Sequence, residues 1–226
     1  QGFTKTDMAG YWLNDGEQSS SFSNAVCFQE ALCEQGLAPK TIRTPEYGAV
    51  ANYAYHLDSA KFAVFLQKHC IENLGVTHIL ADVTKVNSIE NGDIGSLTTK
   101  QAGNISGDLF VDCSGFSSLL LGGHYQVPFK SYRDVLFIDT ALAVQVPYEN
   151  DSSPIASHTI STAQEAGWIW DIGLQHRRGV GYVYSSKHST ESQARARLAD
   201  YIGDKIDSLT IRKIPIKWPS QSLLAK

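Results

Sequence analysis

The sequence predicts a mixed α and β protein with two lobes, the second built on an antiparallel sheet. Three observations carry that prediction. Phe62, Phe65, Leu66, His69 and Cys70 recur at helical spacing, and a meander of short strands follows. The run Leu109-Phe110-Val111 has no alternation, so it reads as a strand covered on both faces. Beyond Gly122-Gly123, read as a Gly-rich turn, the chain changes to long strand-like runs whose chemistry suits antiparallel pairing.

The elements follow in order. Residues 1–50 are loop-rich, with one helix expected over 24–35 and Gly36 as its stop. Pro39 and Pro45 mark a connection. Asp58 opens the clearest helix and Gly75 closes it. Strands are expected over 76–80, 83–89 and 94–99, with Asn91-Gly92-Asp93 turning the second into the third. Gly103-Asn104 turns again, and Ile105 leads into the buried strand 108–112. The later strands are expected over 135–146, 157–163, 168–174 and 180–186. A helix over 190–202 has Thr190 as N-cap, Gln193 three residues on, and Gly203 after its end. A last strand-like run spans 209–216.

Composition excludes several classes. Hydrophobic residues are 42%, charged residues 19% and the net charge is −4, ordinary for a folded domain that buries roughly 70% of its unfolded surface. The basic residues are scattered, so no nucleic-acid partner and no anionic membrane surface is implied. No apolar run approaches the ~20 residues of a membrane span. Cys27, Cys33, Cys70 and Cys113 are read as reduced thiols of a cytoplasmic protein. The chain opens with Gln1 rather than Met and stops at Lys226 soon after a strand-like run, as expected of an internal fragment.

Motifs for common chemistries fail. No metal is expected: the seven histidines form no ligand spacing, and the neighbours His69 and Cys70 point in different directions on a helix. Ser114 follows a strand, but a nucleophile elbow needs glycine where Asp112 and Phe116 stand. Gly179-Val180-Gly181 is not a dinucleotide turn, because position 184 is tyrosine and a strand follows; these glycines are expected to shape a turn.

Three stretches together resemble the flavin-dependent tryptophan halogenases. They are Asn52-Tyr53-Ala54-Tyr55-His56-Leu57-Asp58, Gly107-Asp108-Leu109-Phe110-Val111-Asp112-Cys113-Ser114-Gly115-Phe116, and Gly167-Trp168-Ile169-Trp170-Asp171-Ile172-Gly173 with Arg178 to Ser186 after it. Their order and spacing match from about Tyr11 to Gly203. The third stretch stands for the family's W-x-W-x-I-P signature, with Gly173 in place of the proline, which leaves the substrate open.

The resemblance implies a partial FAD/NAD(P)-binding fold of the p-hydroxybenzoate-hydroxylase type with an antiparallel sheet in the substrate lobe. Residues 1–47 would be a substrate-side segment, 48–125 part of the FAD-binding module, and 126–226 a truncated substrate lobe. It also implies an FADH2-dependent, monooxygenase-like oxidoreductase. A flavin peroxide oxidises halide, and the resulting species halogenates an aromatic, indole- or phenol-like substrate. FAD and a separate flavin reductase serve the complete parent; binding by this chain is expected to be weak or absent. The family's catalytic lysine lies upstream of the matched region and its glutamate downstream, so no catalytic residue is assigned here. Val83 matches a position whose backbone contacts FAD, and Ser114-Gly115 stands where related flavin enzymes carry Asp-Gly beside the cofactor. Trp168 and Trp170 are expected to stand side by side as a spacer between the flavin and substrate chambers, with Ile169 and Asp171 facing away. The plain alternatives are a buried strand valine, a turn glycine and two core indoles. Rival functions are a flavin hydroxylase or reductase of the same fold, and a non-catalytic binding module.

Overall fold

Which extended runs become strands is decided by whether their backbone groups find partners. The structure is a computed structural model that describes residues 8–14, 21–128, 130–132, 134–216 and 219–220. The termini Gln1 and Lys226, which raise the question of a fragment, lie outside the described residues. The helices are α1 (Met8–Asn14), α2 (Phe22–Val26), α3 (Gln29–Glu34), α4 (Ser59–Leu74) and α5 (Glu191–Ile202). The first strands are β1 (Val83–Ser88), β2 (Ile94–Thr99), β3 (Gly103–Ser106) and β4 (Lys130–Ser131). The later ones are β5 (Thr140–Pro147), β6 (Ile160–Gln164), β7 (Gly167–Gly173), β8 (Arg177–Tyr184), β9 (Arg212–Pro215) and β10 (Pro219–Ser220). A meander has the order β1-β2-β3, a short pair joins β10 to β4, and a five-stranded sheet runs β6-β7-β8-β5-β9.

The chain divides into two compact units. One holds residues 1–57, 142–182 and 192–212, the other 58–141, 183–191 and 213–226. In the first unit, β6 and β7 pair antiparallel with Ser161 opposite Trp170 and Ala163 opposite Trp168. Only residues 174–176 join β7 to β8, a link too short for a parallel crossover. Leu142, Val144, Val146, Ile169, Val180 and Tyr182 supply this unit's core, and α5 adds Ala194 and Leu198. The expected helix over 24–35 is instead two short ones. Cys27 is extended (φ −149°, ψ 124°) and ends α2. Gly36 does stop α3, in a left-handed conformation (φ 64°). Its N–H donates to the Cys33 carbonyl and that of Leu37 to Leu32, a Schellman closure. The turn expected at Gly179-Gly181 is absent, since both glycines lie inside β8.

In the second unit, Asp58 caps α4 by accepting from the N–H groups of Ala60 and Lys61 at 3.1 and 3.3 Å. Gly75 (φ 67°) ends the helix, as its spacing predicts. The meander is shifted from the expected one. β1 and β2 pair around Asn91-Gly92-Asp93 as expected, but the third strand is β3, which begins at the expected Gly103-Asn104 turn, and not residues 76–80; both pairs are antiparallel. Two expected strands do not form. Residues 76–80 and 108–112 belong to no sheet, and Leu109 and Val111 are 82% and 74% exposed rather than covered. The physical reason is the lack of a neighbour: among the described residues no strand lies beside either run to take its hydrogen bonds. The apolar stripe of α4 is uncovered too, with Phe62, Phe65 and Leu66 all exposed. Gly122-Gly123, expected as a Gly-rich turn, lies within a π-helical turn over 119–124.

Hydrogen exchange on this chain tests that account. Amides of residues 77–81 and 109–111 should exchange far faster than those of β7 and β8; equal protection would mean that these runs are paired after all.

Candidate functional site

The turn after residue 111 is organised by one carboxylate. Asp112 Oδ1 accepts from the N–H and hydroxyl of Ser114. Its Oδ2 accepts from the N–H groups of Leu120 and Leu121 at 2.8 and 3.3 Å. Ser114 Oγ accepts from Leu119 N at 2.8 Å, and Ser118 Oγ from Gly122 N at 3.0 Å. These bonds take up N–H groups of the turn that no neighbouring strand could serve. Partial burial works to raise the Asp112 pKa, but the donors from Ser114, Leu120 and Leu121 outweigh it and hold the carboxyl below its ordinary range. His124 ties the turn to the meander through a 2.9 Å contact between its Nε2 and the Ser88 hydroxyl.

Ser114 and Gly115 are both exposed on this turn. Gly115 has φ 62°, and nothing lies within 4 Å of the place a Cβ would take. The backbone is thus open to close approach by a flat ligand, which fits a flavin. Val83 opens β1, half-buried and opposite Thr99. The ladder is irregular between Val83 and Lys85, a bulge of the kind that re-aims a strand end. Val83 and the 114–115 turn lie on separate elements of one unit. A cavity of about 370 Å³ lies beside the turn, walled by Ile94, Leu109, Phe110, Asp112, Leu120 and Tyr125 among others. The described groups of three or more His, Cys, Asp or Glu include none that could hold a metal. All four cysteines are free.

The tryptophan pair belongs to the other unit, on β7. Period two sends Ile169 and Asp171 inward, at 0% and 2% exposure. Trp168 and Trp170 share the opposite face, their ring centroids 6.3 Å apart and their planes at 65°. Trp168 is 39% exposed and Trp170 half-buried, so the pair is not sealed in the core. Gly173, in the place of the signature proline, is buried. A Cβ there would stand 2.8 Å from Ile155 Cγ2 and 3.2 Å from the Tyr148 hydroxyl. Glycine is what lets those two side chains close in. The Tyr148 hydroxyl is itself buried without a hydrogen-bond partner, and burial, followed by the nearby Asp171 charge, raises its pKa.

Sequence reasoning did not single out Asp171. Arg178 Nη1 donates to its Oδ2 at 2.8 Å, and the Tyr201 hydroxyl donates to the same oxygen at 3.2 Å. Desolvation and the Asp171 charge both raise the Tyr201 pKa, which keeps that hydroxyl a donor. The available signal was an acid at an inward-facing position between Ile169 and Gly173, with an arginine seven residues on across a hairpin.

The profile of the tryptophan halogenase family matches residues 1–221. The chain is 37% identical over 193 residues to tryptophan 6-halogenase SttH of Streptomyces toxytricini, covering 84% of this chain and 37% of that protein. It is 36% identical over 223 residues to 7-chloro-L-tryptophan 6-halogenase KtzR of Kutzneria, covering 89% of this chain and 42% of that one. The crystal structure of a tryptophan halogenase from Shewanella frigidimarina superposes with a TM-score of 0.88 at 51% identity, over 96% of this chain and 42% of that chain. The chain therefore spans about two fifths of the length of these relatives.

Two outcomes follow from the geometry. Arg178→Met leaves a buried carboxylate with one donor fewer and should lower stability by about 2 kcal/mol in a urea titration; no loss would mean that the pair is solvated. The depressed Asp112 pKa contributes stability that is present above the unfolded carboxylate value, about 3.9. That stability is lost as pH falls through the lower folded value. Amide resonances of Leu120 and Leu121 should therefore lose dispersion only below about pH 4, and in Asp112→Ala at every pH.

Proposed function

The chain belongs to the tryptophan halogenase family, and on that premise we propose that it is the part of an FADH2-dependent halogenase that walls the cofactor from the substrate. The complete enzyme oxidises halide and transfers the halogen to an aromatic, indole- or phenol-like molecule, with reduced flavin delivered by a separate reductase. Reduced FAD, when bound, would supply two electrons that reduce dioxygen to the peroxide level, and that oxidant would take two electrons from halide to give an electrophilic halogen species. The residues of this chain shape the path that species takes.

The observation that carries this reading is the tryptophan pair. Two large, rigid side chains stand 6.3 Å apart on one face of β7, outside the core that Ile169 and Asp171 occupy. Packing needs alone would turn both indoles inward. A pair of rings packed edge to face can form a wall that excludes an aromatic ligand, with a small polar species passing at its margin. The backbones of Val83 and of Ser114-Gly115 lie along the flavin in this reading. Gly115 offers an open, left-handed backbone, and the ladder is irregular just after Val83. The four free thiols fit a reducing, cytoplasmic setting. No described helix is long and apolar enough to cross a membrane.

The sequence holds no G-x-G-x-x-G turn, whose backbone amides would grip the pyrophosphate. The isolated chain should therefore retain no stoichiometric flavin, and a yellow purified sample would contradict this. In the complete enzyme, Trp168→Phe and Trp170→Phe should shift products from halogenated toward hydroxylated or unreacted aromatic, with folding nearly intact. A lowered melting temperature with unchanged product partition would reduce the pair to packing.

A further inference from the structure

Gly181 lies in β8, and a glycine inside a strand marks a place where something must come close to the backbone. Here the visitor is identified. A Cβ built on Gly181 would overlap Cζ2 and Cη2 of Trp170 and would stand 2.6 Å from the Leu142 carbonyl oxygen. The six-membered edge of the indole therefore lies across the bare backbone of β8. Gly181 shows no left-handed backbone, so glycine is needed for space and not for conformation. Gly179, two residues earlier on the same strand, meets only the far end of Arg177 at 3.9 Å and carries no such demand.

We propose that Gly181 is a positioning residue: it is the seat that fixes the Trp170 indole, and through it the 6.3 Å spacing to Trp168. Any side chain at 181 evicts the ring. The ring would have to leave its place over β8, so its edge-to-face packing on Trp168 would change. The seat itself rests on geometry alone; its consequence for halogenation rests on the spacer reading of the pair.

Trp170→Phe in this chain is the gentle test, because it removes the overlying ring edge without crowding β8. The α-proton resonances of Gly181 should shift, because the smaller phenyl ring reaches less far over β8 and carries a weaker ring current, while those of Gly179 stay in place. Gly181→Ala is the complementary test. The two indoles are close enough for their strong far-ultraviolet transitions to couple, so that exciton couplet in circular dichroism should be lost while the amide signal of the backbone is retained. An unmoved Gly181 resonance in Trp170→Phe, or a retained couplet in a folded Gly181→Ala, overturns the seat. In the complete enzyme, Gly181→Ala should shift product partition in the same direction as Trp170→Phe. If the resonances move as expected and neither variant alters partition, the seat holds and the spacer reading fails.

Discussion

A carboxylate with 2% of its surface in water has to be answered where it stands, and Asp171 is answered by Arg178 across the β7–β8 hairpin and by Tyr201 from α5. That requirement pins the register of β7. A slip of one residue would place Trp170 in the core and send Asp171 out to solvent, stranding its two donors. The inward alternation of Ile169 and Asp171 thus dictates the outward alternation of Trp168 and Trp170. The position of the pair follows from a charge on the other side of the strand.

The same strand shows how a face is kept open for large rings. Gly181 removes the side chain that would compete with Trp170 for the space over β8. On the inward face Gly173 plays a related part for Ile155 and Tyr148. One glycine and one acid, neither of them aromatic, decide where the indoles stand. In the proposed function, contact with the flavin depends on backbone in a different way: Asp112 gathers the N–H groups of a short turn that leaves Ser114 and Gly115 exposed.

Local signals in the sequence were legible where partners are near in the chain. Asp58 and Gly75 bracket α4, Asn91-Gly92-Asp93 turns the meander, and period two in β7 separates the tryptophans from Ile169. Expectations failed where partners are distant or missing. Residues 76–80 and 108–112 have strand composition and, among the described residues, no strand beside them, so composition alone could not make a ladder. Gly181 was read as a turn residue because glycine pairs usually are. Its true reason is a side chain eleven residues earlier on the neighbouring strand, which spacing does not reveal. Asp171 was placed facing away from the indoles but given no role, because its need for partners arises only once β7 is buried on that side.

The central claim is that the tryptophan face of β7 separates cofactor from substrate in the complete enzyme. The most direct measurement is a crystal structure of that enzyme soaked with FAD and an aromatic substrate such as tryptophan. The account predicts Trp168 and Trp170 on the line between the isoalloxazine ring and the substrate, with Gly181 beneath the Trp170 ring. Finding both indoles on one side of the two ligands, with open space joining flavin to substrate, would contradict it.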